Sequence, residues 1–203
     1  MTDSIINKQK TAIIDYDSGN IQSIANMLEY LGCNYIITSD KEKIKSSDKI
    51  IFPGQGHFEQ AMNKLKSKDM ISFVQDLTIS GKEFLGICLG LQVLFEKSEE
   101  APNVEGLKIF KGEVLKFKKG KTPQIGWAEI KTTKNNTLLD DEYFYFVNSY
   151  YISPENKDII SSYGHYHIDY AASVQYKNIT AVQFHPEKSS NAGMNFFKKW
   201  LQK

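Results

Sequence analysis

The chain has 203 residues, which is long enough to bury a sizeable core as one large domain or at most two small ones. Hydrophobic residues make up 41% and charged residues 24%, as in ordinary globular proteins, and the net charge of +1 lacks the basic excess of a nucleic-acid-binding surface. Two cysteines, Cys33 and Cys88, are too few for a disulfide scaffold. No apolar run approaches the ~20 residues of a membrane span, and the polar start is unlike a signal peptide, so we expect a soluble, cytoplasmic protein.

The first half of the chain alternates predicted strands with predicted helices. Residues 1–10 are interpreted as a short tail before a domain that spans residues 11–203. The predicted strands are 11–16, 34–39, 49–54 and 83–88. The predicted helices are 20–32, with Asn20 as N-cap and Gly32 at its end, 58–67, 70–81 and 89–98. This alternation is typical of a parallel sheet covered by helices on both faces.

After residue 110 the pattern changes to strands rich in aromatic and β-branched residues. Residues 112–131 are predicted to form a hairpin with a long polar turn, residues 142–153 and 166–186 are strand-like, and an amphipathic helix covers 193–202. We therefore expect a single α/β domain with a mostly parallel central sheet flanked by helices and with antiparallel strands added in the second half.

Three residues that could take part in binding or catalysis lie where predicted strands end, namely Gly54, Cys88 and His185. Ligands of such sheets bind at the carboxyl ends of the parallel strands. The three residues are therefore candidates for one common site.

Cys88 stands between a predicted strand and a predicted helix, in the sequence GICLG. A nucleophile at such an elbow needs small neighbours, which Gly86 and Gly90 provide. A helix N-terminus favours the thiolate, and the N–H of Leu89 would be free to face an oxyanion. A free cysteine is also often a small buried hydrophobe, and the elbow pattern alone leaves both interpretations open.

The segment VQFHPEKSS follows an apolar strand and contains His185, Pro186 and Glu187. Proline favours an extended conformation for the residue before it, and residues i and i+2 of an extended chain point the same way. Glu187 can then orient the imidazole of His185. Together with Cys88 this predicts a nucleophile, a base and an orienter of the base.

The sequence Pro53-Gly54-Gln55-Gly56 ends the third predicted strand. Backbone N–H groups exposed at this edge could form a second oxyanion donor or a substrate cradle. An ordinary glycine turn between a strand and a helix is the alternative interpretation.

Taken together, GICLGLQ, QFHPEKS and PGQG resemble the class I, or triad, glutamine amidotransferases, which use Cys-His-Glu to release ammonia from glutamine. More narrowly, IIDYDSGNIQSI, PQIGWAEI and FYFVNSYY resemble the glutaminase subunits of imidazole glycerol phosphate synthases, from histidine biosynthesis. The resemblance covers nearly the whole chain after residue 10.

The resemblance implies that Cys88 attacks the glutamine amide to form a glutamyl thioester, that His185 transfers the proton and that Glu187 orients His185. The implied glutamine pocket consists of Gly54, Gln92, Ser149 and Tyr150. The implied oxyanion hole consists of Leu89, Gly54 and Gln55.

The resemblance also implies a partner, a (β/α)₈-barrel cyclase subunit that receives the ammonia in a heterodimer and forms imidazole glycerol phosphate and AICAR. Because no synthase domain follows residue 203, the acceptor chemistry is expected on another chain. Lys188, Trp127 and Asn148 are the predicted interface residues. No cofactor, metal, nucleic acid or membrane is expected to take part.

Three alternatives remain open at this point: a related glutaminase subunit serving a surface-sugar amidotransferase, a stand-alone γ-glutamyl thiol hydrolase, and a non-catalytic scaffold subunit. Gln55, Ala128 and Asn148 depart from the family pattern outside the triad, and they bear on which partner is served. His165, His167 and Asp169 alternate along one strand, but such polar alternation more often marks a solvent face than a metal site.

Overall fold

The computed structural model describes residues 9–203, and its strands form one twelve-stranded mixed sheet. The strands are β1 (Lys10–Ile14), β2 (Asn34–Thr38), β3 (Lys49–Phe52), β4 (Glu83–Ile87), β5 (Phe95–Ser98), β6 (Phe110–Lys116), β7 (Gln124–Thr132), β8 (Tyr143–Asn148), β9 (Tyr150–Pro154), β10 (Ile160–His165), β11 (Asp169–Tyr176) and β12 (Ile179–Val182). The α-helices are α1 (Ile21–Tyr30), α2 (Lys41–Lys45), α3 (Phe58–Ser67), α4 (Ile71–Ile79), α5 (Leu89–Gln92) and α6 (Ser190–Leu201). None of these helices is long and apolar enough to cross a membrane.

The sheet has a parallel half and an antiparallel half. Strands β2, β1, β3, β4 and β12 lie side by side in that order, and all of them are parallel. From β12 the sheet continues through β11, β10, β7 and β8 in antiparallel pairs. Strand β9 also pairs with β11, β6 is antiparallel to β9, and β5 is parallel to β6. The predicted α/β architecture is confirmed, and the late strand β12 completes the parallel half next to β4.

Helices cover both faces of the parallel half, because alternate residues of each strand point to opposite sides. Ile14 and Phe52 face one apolar cluster, which includes Phe58 and Val74 from α3 and α4. Ile13 faces a second cluster on the other side, together with residues from α1 and α6. Each large apolar side chain buried in this way stabilises the fold by roughly 1.5–3 kcal/mol.

Helix α1 forms as predicted, with Ile24, Ala25 and Leu28 on its buried stripe, and Gly32 follows its end with a φ of 67°. Asn20 lies at the N-cap position as predicted, but the expected side-chain cap does not form. Asn20 has a left-handed φ of 55°, and its side chain makes no capping hydrogen bond to the helix. Its amide is directed elsewhere, toward the site described below.

Two other predictions fail for tertiary reasons. The predicted helix 89–98 stops at Gln92, and the chain continues as β5, which pairs with β6. An apolar run cannot by itself distinguish a buried helix from a buried strand. The predicted hairpin 112–131 does not form, because β6 pairs with β5 and β9, whereas β7 pairs with β8 and β10.

The last residue of the predicted tail, Lys10, belongs to the first strand. Residues 1–8 lie outside the described residues, but Lys10 already belongs to β1 and its backbone N–H donates to Asp48 Oδ2 at 2.8 Å. The sheet therefore begins one residue before the predicted domain boundary.

Candidate active site

Three neighbouring parallel strands bring the predicted chemical residues to one edge of the sheet. In the register of the sheet, Phe52 lies beside Gly86, and Ile87 lies beside Val182. The next residues along these strands lead to Gly54, Cys88 and His185. The predicted convergence of these three positions at the carboxyl ends of the strands is confirmed.

Cys88 occupies a strained elbow between β4 and α5. Its φ is 55° and its ψ is −113°, a conformation that costs a non-glycine residue about 1–3 kcal/mol and that clusters at functional sites. The backbone N–H of Cys88 donates to Val182 O at 2.8 Å, which holds the elbow to β12. Cys88 is only 8% exposed, and it lines a cleft.

The glycines around the elbow are required by close packing. A Cβ on Gly90 would overlap the carbonyl oxygen of Phe52, and one on Gly54 would overlap the backbone nitrogen of Gly90. A Cβ on Gly86 would lie 3.0 Å from the Cβ of Ala181. The elbow therefore fits only because the backbones of β3, β4 and α5 can approach each other closely.

His185 and Glu187 form the hydrogen bond that the sequence predicts. Nδ1 of His185 lies 2.8 Å from Oε1 of Glu187, and both side chains are buried. The backbone conformation that brings the two side chains together differs in part from the prediction, because residues 186–188 form a 3₁₀ turn rather than an extended chain. His185 is fixed from behind, since its N–H donates to Tyr145 O at 2.9 Å and its carbonyl accepts the hydroxyl of Ser189 at 2.7 Å.

The environment of His185 favours its charged form. Burial alone would lower its pKa, but the interactions with Cys88 and Glu187 outweigh burial and raise the pKa to about 10. An imidazole whose charged form is favoured beside a thiol and a carboxylate is suited to hold the proton that the sulfur releases and to pass it to a leaving group.

Asn20 is a member of this site that the sequence reasoning missed. Its Nδ2 donates to Glu187 Oε1 at 2.9 Å, and its Oδ1 accepts the hydroxyl of Ser23 at 2.8 Å. The other carboxylate oxygen of Glu187, Oε2, is buried and has no hydrogen-bond partner among the described residues. The available signal was the position of Asn20 just after β1, which ends at the same edge of the sheet.

A second missed residue, Gln183, lies immediately after β12. Its Nε2 is 3.7 Å from the sulfur of Cys88, and its Oε1 accepts from Gln92 Nε2 at 2.9 Å. Gln92 Nε2 also donates to the carbonyl of Tyr150 at 3.3 Å. The amide of Gln92, predicted to line the glutamine pocket, is thus bound to other protein groups at the cleft wall.

A cleft of about 280 Å³ opens beside the sulfur of Cys88. Most of the predicted site residues line it: Gln55, Cys88, Leu89, Gln92, Ser149, Tyr150, His185 and Lys188. Gly54 and Glu187 do not line this cleft. Glu100 also lines the cleft and was missed; its Oε2 accepts the backbone N–H of Phe58, the first residue of α3, at 2.7 Å.

The backbone N–H of Leu89 is not free in this conformation, so that expectation is wrong. It donates to the carbonyl oxygen of Gly54 at 3.3 Å, which is long for an N–H···O bond. The close approach of the Gly54 and Gly90 backbones places that carbonyl in front of the elbow. The two predicted oxyanion segments are brought together, but they bond to each other.

The predicted interface residues divide into exposed and buried positions. Trp127 is 51% exposed and packs edge-on against Tyr145 with 6.1 Å between ring centres, and Lys188 is exposed at the cleft. Asn148 is only 5% exposed, so its placement at an interface is wrong. It occupies an inward position of β8, and its Nδ2 donates to Tyr150 O at 3.0 Å.

The alternating polar residues of β10 and β11 do not converge on one point. His165 Nδ1 lies 2.7 Å from Asp169 Oδ1 on an exposed face, whereas His167 lies in the turn between the strands with a left-handed φ of 58°. These residues therefore have the arrangement of a solvent-exposed surface.

Comparison with known proteins agrees with this geometry. The protein-family model of glutamine amidotransferase class-I matches residues 12–203. The chain therefore belongs to the class-I glutamine amidotransferase family, as its motifs suggested.

Within that family, the chain is similar to subunits of one enzyme. The chain is 41% identical over 197 residues to imidazole glycerol phosphate synthase subunit HisH of Methanothermobacter thermautotrophicus, covering 94% of this chain and 97% of that one. It is 43% identical over 196 residues to the HisH subunit of Bacillus thuringiensis subsp. konkukian, covering 93% and 92%. The narrower resemblance is thereby confirmed as well.

Solved structures agree at the level of the fold. A glutamine amidotransferase crystal structure superposes with a TM-score of 0.75 at 16% identity, covering 94% of this chain and 98% of that one. PurLQS from Thermotoga maritima gives a TM-score of 0.72 at 17% identity, with coverage of 95% and 97%.

Proposed function

We propose that the chain hydrolyses glutamine to glutamate and ammonia as the glutaminase subunit of an imidazole glycerol phosphate synthase, and that it delivers the ammonia to a partner cyclase subunit in histidine biosynthesis. The observation that carries the proposal is the Cys88 elbow beside the His185–Glu187 pair in one cleft. The HisH identity of the relatives supports the choice of pathway. The cytoplasmic location stays a prediction.

In the proposed reaction the sulfur of Cys88 attacks the carboxamide carbon of glutamine, and His185 accepts the thiol proton. The tetrahedral intermediate collapses, the C–N bond breaks, and His185 gives its proton to the departing ammonia. A water molecule then attacks the thioester while His185 accepts a proton from it. Glutamate leaves and the thiol is restored. Glu187 holds the imidazole in one orientation and stabilises its charge.

The negative oxygen of the tetrahedral intermediate needs hydrogen-bond donors, and in the conformation described here the carbonyl of Gly54 occupies the N–H of Leu89. Rotation of the Gly54–Gln55 peptide would withdraw that carbonyl. The same rotation would bring the N–H of Gln55 to the side where the carbonyl had been. We infer that activation includes this rotation, which frees Leu89 and adds Gln55 as a second donor.

The cleft also offers charges for a free amino acid. Glu100 supplies a carboxylate for the α-ammonium group of glutamine, and Lys188 supplies a cation at the same cleft. Ser149 and Tyr150 also line the cleft, and they are proposed to contact the α-amino and α-carboxyl groups. A free amino acid suits this cleft better than a peptide segment does. Free glutamine carries both an α-ammonium and an α-carboxylate group, whereas a glutamine residue within a peptide carries neither.

The partner is proposed to be a (β/α)₈-barrel cyclase subunit that docks over the cleft mouth, where Lys188 is exposed, and over the neighbouring face of β7 and β8, where Trp127 is exposed. A docked partner would cover the sulfur and receive ammonia without its loss to water. Basal glutaminase activity is expected to be low, because Leu89 and Gly54 bond to each other in the chain alone.

The test is glutamate release from glutamine by the chain alone and with the cyclase subunit from the same source. We expect activity that rises when the cyclase and its nucleotide substrate are added, and that is lost in Cys88→Ala but kept in Cys33→Ser. Unchanged turnover in Cys88→Ala would refute the glutaminase proposal. Stimulation by a surface-sugar synthase in place of the cyclase would keep the chemistry and overturn the pathway.

A further inference from the structure

A buried chain of side-chain amides leads from the cleft wall to the sulfur of Cys88. Gln183 lies two residues before His185, at the carboxyl end of β12, and its side chain is fully buried. Its backbone N–H donates to Ala172 O at 2.8 Å, which holds it against β11. Gln183 and His185 therefore reach Cys88 from the same stretch of backbone.

The hydrogen-bond directions in this amide chain are fixed from one end. The carbonyl of Tyr150 can only accept, so Gln92 must present its NH₂ group there, at 3.3 Å. The same NH₂ group lies 2.9 Å from Gln183, which must therefore present its oxygen. The NH₂ group of Gln183 is left to face the sulfur of Cys88 at 3.7 Å.

From this geometry we propose that Gln183 is a further catalytic residue, which donates an N–H to the sulfur of Cys88, favours its thiolate form and holds it toward the cleft. The inference rests on the proposed function of Cys88 as the nucleophile. A hydrogen bond to the charged form of an acid favours that form, and the effect is strong where water is excluded.

The helix after Cys88 is too short to stabilise a thiolate strongly, so a side-chain donor matters more. Helix α5 has only four residues, so few peptide dipoles align behind the sulfur. The backbone N–H of Leu89 is engaged by Gly54 in this conformation. Among residues 9–203, the Nε2 of Gln183 lies within hydrogen-bond distance of the thiol. Gln92 acts through Gln183 and is a positioning residue in this respect.

The experiment uses Gln183→Met in a Cys33→Ser background, where Cys88 is the single thiol. Methionine keeps the length and burial of the side chain but has no N–H. The rate of alkylation of Cys88 by iodoacetamide is measured from pH 5 to pH 10 by mass spectrometry. We expect alkylation at pH 7 to slow by about tenfold, with the half-maximal rate displaced to higher pH. Gln183→Glu, which places a carboxylate oxygen against the sulfur, should slow it further.

A matched control is Gln175→Met on β11, where the amide oxygen of Gln175 accepts from the backbone N–H of Thr137 at 3.0 Å, away from the cleft. This variant should alkylate at the parent rate. Circular dichroism and thermal unfolding show whether each variant folds. If Gln183→Met does not fold, Gln92→Met supplies the same readout, because it releases the orientation of Gln183 and should slow alkylation by a smaller factor.

The outcomes separate the two proposals. Identical pH profiles for the parent and for a folded Gln183→Met protein would overturn the role of Gln183 and leave the glutaminase proposal intact. A parent protein that shows no Cys88-dependent glutamate release with its cyclase would overturn the proposed function itself, and the role of Gln183 with it. A slowed, alkaline-shifted profile together with reduced glutamate release supports the role.

Discussion

The amide of Asn20 donates a hydrogen bond to Oε1 of Glu187 at 2.9 Å, across 167 positions of sequence. The same oxygen lies 2.8 Å from Nδ1 of His185. One carboxylate oxygen is therefore held from two sides, while Oε2 is buried without a hydrogen-bond partner among residues 9–203. The turn before α1 thus fixes the carboxylate that fixes the imidazole.

We predict that Asn20→Ala lowers kcat for glutamate release by about tenfold with a smaller change in KM, because Glu187 loses a donor while the substrate cleft stays intact. Asn20→Asp should be worse, since it places a second carboxylate against Glu187. The pH–rate profile is the diagnostic measurement, because a shifted profile reports on the imidazole rather than on folding.

Asn26→Ala is the control for this prediction. Asn26 lies on α1, and its Oδ1 accepts from Gln22 on the solvent side at 2.8 Å. Its removal should leave kcat and the pH profile unchanged. Equal losses in both variants would attribute the effect to helix stability and contradict a positioning role for Asn20.

The titration of His185 offers a second prediction. Burial lowers its pKa, but Cys88 and Glu187 raise it more, to about 10. In an NMR titration, His185 should titrate with a midpoint well above the ordinary value of 6.5. Glu187→Gln should move that midpoint down toward 6.5, the ordinary value. A midpoint of His185 below 7 in the unmodified chain would contradict the described environment.

The same shift predicts how stability depends on pH. The pKa of His185 is higher in the folded chain than the unfolded value of 6.5, so its contribution to stability is complete below pH 6.5 and is lost as pH rises toward 10. The loss should be of the order of a few kcal/mol. The measurement is the difference in urea unfolding free energy between the native sequence and His185→Gln at several pH values. Groups that do not interact with His185 cancel in this difference, and a difference that stays constant with pH would refute the prediction.

The packing of the elbow leads to a further prediction, which compares two glycines. Gly90→Ala should abolish glutaminase activity and lower the unfolding free energy by roughly 1–3 kcal/mol, because a Cβ there overlaps the Phe52 carbonyl. Gly86→Ala should cost less, since its Cβ would lie 3.0 Å from the Cβ of Ala181 and a small shift relieves the contact. Urea unfolding and glutamate release measure both effects, and an order in which Gly86→Ala is the more damaging change would contradict the described packing.

The sequence predicts this site well where the chemistry lies at the ends of strands. Cys88 and His185 follow apolar strands that are easy to recognise, and parallel strands bring their ends to one edge. Asn20 and Gln183 were missed because their contacts depend on the direction in which each side chain points in the folded protein. A polar residue before a helix is ordinarily a cap, and nothing local distinguishes Asn20 from one.

Other differences come from tertiary competition. Leu89 follows the nucleophile as expected, but its N–H finds the carbonyl of Gly54, which packing places there. The apolar run after Gln92 forms strand β5 because it pairs with β6. Strand β6 is distant in sequence, so a local pattern cannot predict this pairing. Asn148 is turned inward by strand alternation, although its neighbours in sequence line the cleft.

The outer face of β7 and β8 carries the last prediction. Trp127 pairs with Tyr145, and Ile125 pairs with Val147, which lines the cleft, so this apolar row runs from the cleft mouth outward. A large exposed aromatic in such a place is typical of an interface residue with a large share of the binding energy. Trp127→Ala should therefore weaken binding of the cyclase subunit by at least about tenfold and reduce its stimulation of glutamate release.

Isothermal titration calorimetry with the cyclase subunit measures this effect, and Tyr176→Ala is the control. Tyr176 is an exposed aromatic at the opposite edge of the sheet, where it pairs with Ile179 at the start of β12 and packs against Phe110. Because the cleft lies at the other end of β12, a partner that covers the cleft cannot reach Tyr176, and its loss should leave affinity unchanged. If Tyr176→Ala weakened binding and Trp127→Ala did not, the cyclase would dock away from the cleft, and ammonia would have no protected path from Cys88 to its acceptor.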